Sequence, residues 1–82
     1  MRLGKVLHLS KSGNLILRLE SSSILPTTGS PVCDYKLLRV GTVGNIFGPV
    51  KGPYLSVQPS VESPSKLSGR ILYLVEKEQE HR

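Results

Sequence analysis

The sequence predicts an all-β chain closed into a small six-stranded barrel. Three observations carry that prediction. Short apolar segments alternate with polar residues at a spacing of two. Glycine, proline and serine turn signals recur every 8 to 15 residues. No stretch carries the three-to-four spacing of an amphipathic helix. Short strands with closely spaced turns dispose of their edges best by closing on themselves.

The 82 residues suit one domain, placed over 1–75, with a charged and frayed tail over 76–82. A chain of this size buries only about 60% of its unfolded surface, so the core is thin and large clefts are not expected. No apolar run reaches the roughly 20 residues of a membrane span, and Met1 to Lys5 leads into alternation without a signal-peptide region. An intracellular, cytoplasmic protein is expected. The single Cys33 agrees, since it has no internal disulfide partner and belongs to no zinc cluster. It is expected to be a small, partly buried side chain.

Residues 2 to 9 read as the first strand, with Leu3, Lys5, Leu7 and Leu9 on one parity and Gly4, Val6 and His8 on the other. Ser10-Lys11-Ser12-Gly13 is a turn of hairpin length. From Asn14 to Glu20, Leu15, Leu17 and Leu19 face one way and Ile16, Arg18 and Glu20 the other. Residues 21 to 30 form a polar connection with Ile24 and Leu25 as its apolar anchor. An extended piece over 31 to 34 meets a turn at Tyr35-Lys36, and Leu37-Leu38-Arg39 leads onward. After the segment described next, Tyr54 to Gln58 makes a short strand with Leu55 and Val57 on one face. Residues 59 to 65 are too rich in proline and serine for more than one helical turn. Arg70 to Val75 then reads as a strand buried on both faces.

The segment from Val40 to Tyr54 organises the rest. It holds four of the eight glycines, two of the six prolines and the only phenylalanine. A β-rich run enters it, and Gly41 and Gly44 inside that run predict a bulge or a close backbone approach. Gly48-Pro49 and Gly52-Pro53 bracket Val50 and Lys51 as two turn signals. Each proline fixes its own φ, so the loop should be stiff and hold Val50 at the surface. Such a loop is either a barrel corner or a docking element that loses little entropy on binding.

The chain offers little for catalysis. There is no nucleophile elbow, phosphate loop or metal-ligand cluster, and His8 and His81 are far apart. No catalytic residue, metal or cofactor is assigned. Eleven Lys and Arg against six Asp and Glu give a net charge of +5, compatible with an RNA-containing assembly. The cations are spread almost evenly along the chain, however, as on an ordinary solvated surface. Phe47 and Tyr54 flank the loop and could be spatial neighbours. They are read as a core residue and a half-buried rim residue, with an RNA-stacking platform as the alternative.

Gly41-Thr42-Val43-Gly44-Asn45-Ile46-Phe47-Gly48-Pro49-Val50, followed by Pro53-Tyr54-Leu55-Ser56-Val57, resembles the signature of the Gar family. These are the glycine-arginine-rich-domain proteins of H/ACA ribonucleoproteins. Gly4-Lys5-Val6-Leu7-His8, Gly13-Asn14-Leu15-Ile16 and Gly29-Ser30-Pro31-Val32 leading to Asp34 agree, so the resemblance covers most of residues 4 to 59. It implies a barrel of the reductase and translation-factor type. It also implies a non-catalytic subunit that binds a dyskerin-type pseudouridine synthase and assists loading and release of substrate rRNA. The chain lacks the arginine-glycine repeats of eukaryotic members and so looks like the archaeal type. The implied contact is protein to protein, with guide and substrate RNA reached through the complex. Ile46, Phe47, Gly48, Pro49, Val50, Pro53 and Tyr54 are the partner-binding candidates. Pro49, Val50, Pro53 and Tyr54 are preferred as direct contacts if Phe47 points inward. The second reading is a free-standing basic barrel that binds RNA directly.

Overall fold

The computed structural model describes residues 2–20 and 25–75. The tail assigned to 76–82, and Ile24 of the expected anchor, lie outside the described residues. Six strands are present: β1 (Arg2–Leu9), β2 (Leu15–Leu19), β3 (Pro31–Cys33), β4 (Arg39–Phe47), β5 (Tyr54–Pro59) and β6 (Ile71–Leu74). All pairings are antiparallel, and the order β1-β2-β5-β4-β3-β6 closes back onto β1. One short 3-10 turn, Pro64–Leu67, interrupts the β5–β6 connection. From these directions, the β1–β2 and β3–β4 turns share one end of the barrel and the β4–β5 loop lies at the other.

The core cluster is aliphatic. Leu3, Val6, Leu15, Leu17, Leu19, Val32, Val40, Val43, Leu55, Val57 and Leu72 form the core cluster. No aromatic ring is among them, as expected of a narrow lumen that branched side chains of moderate size fill. Strand β2 keeps the strict alternation read from its sequence, with Leu15, Leu17 and Leu19 inward.

Strand β1 does not. Leu3 and Val6 are buried, whereas Leu7 and Leu9 are exposed. Register shifts between Arg2 and Gly4 against β6, and between Val6 and His8 against β2, break the period of two. A single bulge reverses every later side chain. Strand β6 also differs from its reading: Leu72 is buried, but Ile71, Tyr73 and Leu74 are only half-buried. In the β2–β3 connection Leu25 is exposed and Pro26 is buried instead.

Strand β4 follows its glycines. Its ladder with β5 slips between Val43 and Ile46, placing the bulge at Gly44-Asn45. The Ser56 hydroxyl accepts the Asn45 N–H at 2.8 Å and lies 3.4 Å from the Asn45 carbonyl. Val43 points inward before the bulge; after it, Ile46 pairs with buried Leu55 and Phe47 pairs with Tyr54. The bulge therefore turns Phe47 outward, against the expectation of a core residue. Ser56→Ala should cost about 1–3 kcal/mol, because it strands a partly buried N–H. Urea denaturation would measure this, and an unchanged midpoint would show that the hydroxyl does not hold the bulge.

The β3–β4 turn carries a conformation that sequence reading missed. Leu37 has φ 68 and is 78% exposed, between exposed Tyr35 and Leu38. Asp34 fixes the turn: its carboxylate accepts the N–H of Lys36 at 2.9 Å and of Leu38 at 3.0 Å. A left-handed leucine costs roughly 1–2 kcal/mol against residues suited to that region. Leu37→Asn should accordingly raise stability by about 0.5–1 kcal/mol and the melting temperature by several degrees. A lower melting temperature would mean that the leucine contributes packing that outweighs its backbone strain.

Candidate docking site

The β4–β5 loop spans residues 48 to 53. Gly48 has φ 93, a left-handed value that its lack of Cβ permits, and a side chain there would meet the Tyr54 ring at 2.8 Å. The Pro49 carbonyl accepts the Gly52 N–H at 3.2 Å, closing a four-residue turn with Val50 and Lys51 at its corners. That position leaves Val50 88% exposed. The Pro53 carbonyl accepts the N–H of Leu19, tying the loop to β2. A side chain at position 52 would meet the Arg18 guanidinium at 2.9 Å. The two glycines thus leave room for Tyr54 and Arg18 to lie close against the loop.

The candidate residues separate into three groups. Pro49 and Val50 are exposed at the tip, and Phe47 is 45% exposed beside them in sequence. Tyr54 is half-buried, its ring stacked on Phe47 with centroids 5.7 Å apart and planes 29° from parallel. Ile46 packs against the core, and Pro53 is buried. Pro53 therefore braces the base of the loop and offers no projecting surface. Phe47 takes its place among the exposed apolar groups.

Arg18 is the residue that sequence reading left out. Its guanidinium lies 5.7 Å from the centre of the Tyr54 ring, within cation–π range. Its outward direction was readable from the alternation in β2, but its neighbour was not. Strand β2 pairs with β5, which comes after two intervening strands in the chain.

Elsewhere the chemistry is sparse. His8 is exposed, and no cluster of His, Cys, Asp and Glu suited to a metal ion occurs among the described residues. Cys33 is fully buried, and burial, with the Asp34 charge next to it, pushes its thiol pKa up, away from reactive thiolate. Among the described residues no helix is long and apolar enough to cross a membrane.

Comparison with known proteins finds one relative that places the chain. An uncharacterized protein of Methanothermobacter thermautotrophicus is 37% identical over 70 residues, covering 84% of this chain and 73% of the relative. The chain belongs to the same family as that protein. No protein-family model matches it.

Proposed function

We propose that the chain is a non-catalytic subunit of an H/ACA-type small ribonucleoprotein, docking on a dyskerin-type pseudouridine synthase through its β4–β5 loop. In that role it assists substrate RNA loading and release in RNA-guided rRNA pseudouridylation, inside the cell and without a cofactor of its own. The observation that carries the reading is Val50, an apolar side chain 88% exposed at the corner of a turn closed by its own hydrogen bond. A hairpin tip in water normally carries polar or turn-forming residues. An isolated valine held there with Pro49 and exposed Phe47 nearby is what a small apolar anchor requires, and a few such residues can supply most of an interface's affinity.

The resemblance of residues 41 to 57 to the Gar signature supplies the identity of the partner. A subunit of this kind changes turnover only by binding the partner's conformational states with unequal affinity. A rigid loop suits that task, because its own ordering does not absorb the difference.

The test is size-exclusion chromatography of the chain mixed with a dyskerin-type synthase from the same organism, without RNA. Co-elution that persists at high salt is expected of an apolar interface. Separate elution, with RNA alone shifting this chain at low salt, would overturn the docking reading.

A further inference from the structure

The end of the barrel away from the β4–β5 loop gathers charge and apolar surface that docking through Val50 leaves unused. The β1–β2 turn, the β3–β4 turn and the β5–β6 connection meet there, since β5 ends opposite Gly41 near the start of β4. From the last of these, Val61 and Leu67 pack against the core. Together with the first residue of β4, the three connections carry Lys11, Lys36, Arg39, Lys66 and Arg70, all exposed, against Asp34 and Glu62. Among the described residues none of these five cations is ion-paired; Arg2 and Glu20 form an ion pair elsewhere. The Asp34 carboxylate is already engaged by the N–H groups of Lys36 and Leu38.

Beside the cations, the β3–β4 turn exposes Tyr35, Leu37 and Leu38 within four residues. Single surface leucines are ordinary, but three large apolar groups on one tight turn are not. Leu37 takes a left-handed φ of 68, which asparagine or glycine would adopt more easily, and its exposed side chain gains little packing in return. A local rule broken without a structural gain marks a position held for another purpose.

We infer that this end is a second docking surface, and that it takes an acidic amphipathic segment of a protein partner. Apolar side chains of the segment lie against Tyr35, Leu37 and Leu38, and its flanking carboxylates face the cations. Charge complementarity selects this occupant. A second copy of the chain docked through the same end would bring five cations against five. A nucleic-acid strand stacks on rings, and the leucines offer none. The one ring, Tyr35, has the Lys36 ammonium over it, 5.6 Å from its centre. Because Val50 lies at the opposite end, the chain can hold two partners at once and bridge them. The inference goes beyond docking on the synthase and is independent of it.

An NMR titration of the isotope-labelled full chain tests it, the probe being a short helical peptide with leucines on one face and glutamates on the other. Amide signals should move at residues 34–39 and 60–70 and stay in place at 48–53. Replacing the peptide's glutamates by glutamine, or its leucines by serine, should weaken binding about tenfold or more in each case. Leu37→Asn, which suits the turn's backbone, should weaken it about fivefold or more, and Lys36→Glu should do the same. Lys51→Glu, the same charge change at the other end, should leave it unchanged. Val50→Asp should also leave peptide binding intact, while Leu37→Asn leaves co-elution with the synthase intact, so either reading can fail alone.

No movement of the 34–39 signals at about 50 mM salt, where screening is weak, would overturn the inference. So would a loss from Lys51→Glu equal to that from Lys36→Glu, which would reduce the effect to net charge. Movement of the same signals on concentrating the chain alone would assign the surface to a second copy. Tighter binding of oligouridylate or of phosphatidylserine vesicles than of the peptide would assign it to nucleic acid or membrane.

Discussion

Val50→Asp is expected to abolish co-elution with the synthase while leaving the barrel folded. The two halves of that result have different physical sources. Val50 is 88% exposed at a turn corner, so its side chain contributes little to the folded state. Surface substitutions of that kind change stability by no more than about 0.5 kcal/mol. The turn is closed by main-chain groups of Pro49 and Gly52, which the substitution does not alter. In the docked state the same position would sit in an apolar pocket. A carboxylate left there without a partner costs about 3–5 kcal/mol, roughly a hundred- to several-thousand-fold in affinity. Circular dichroism and thermal melting report the first half, and co-elution or calorimetric titration the second. A folded variant that binds the synthase as tightly as the parent would remove the loop from the interface. Phe47→Leu then provides a milder comparison, because it keeps an apolar group while removing the ring that overlies Tyr54.

What the sequence revealed of this architecture depends on how local each determinant is. The barrel itself, the alternation of β2 and the turns at residues 10–13 and 35–36 are set by neighbouring residues, and their structure follows the reading. The direction of Phe47 was not readable in that way. Gly44 announces a bulge, but the side that each later residue faces depends on whether one or two residues are looped out. Here that count is fixed by Ser56 on the opposing strand, whose hydroxyl takes the Asn45 N–H. The same limit applies to β1, where Leu7 falls within the register shift against β2, and Leu9, opposite buried Leu15, is exposed at the end of the strand.

The candidate site divides along the same line. The Gly-Pro punctuation was enough to place Val50 at a stiff tip. It did not show that Pro53 turns inward, since a proline in a turn signal can lie on either side of the chain. Arg18 was out of reach for a topological reason: its contact with Tyr54 bridges strands that pair only because β5 inserts beside β2. The even scatter of cations along the chain therefore says little about their arrangement in space. Lys5 and Arg18 are 13 positions apart in sequence and directly opposite each other on adjacent strands.

Gly41→Ala should be among the most damaging single-methyl changes in the barrel. Gly41 lies on β4 opposite Pro59 and is buried. A Cβ added there would drive into the Gln58 carbonyl oxygen and come within 3.0 Å of the Gln58 carbonyl carbon and Pro59 Cα. All of these are main-chain atoms, so no side chain can rotate to make room. Relief requires β4 and β5 to separate, and β4 is held on its other side by Val32 of β3. In a closed barrel that displacement cannot be dissipated at a free edge. Overpacking a tight site costs about 1–3 kcal/mol even when side chains can yield, and a rigid obstacle belongs at or above the top of that range. A domain of this length has about 4–12 kcal/mol of stability in total. Thr42→Ala, exposed at the next position of the same strand, should cost under about 1 kcal/mol. Denaturant unfolding of both variants decides the point. A Gly41→Ala midpoint matching that of Thr42→Ala would mean that β4 and β5 part at low cost, and that the barrel yields at its β4–β5 seam.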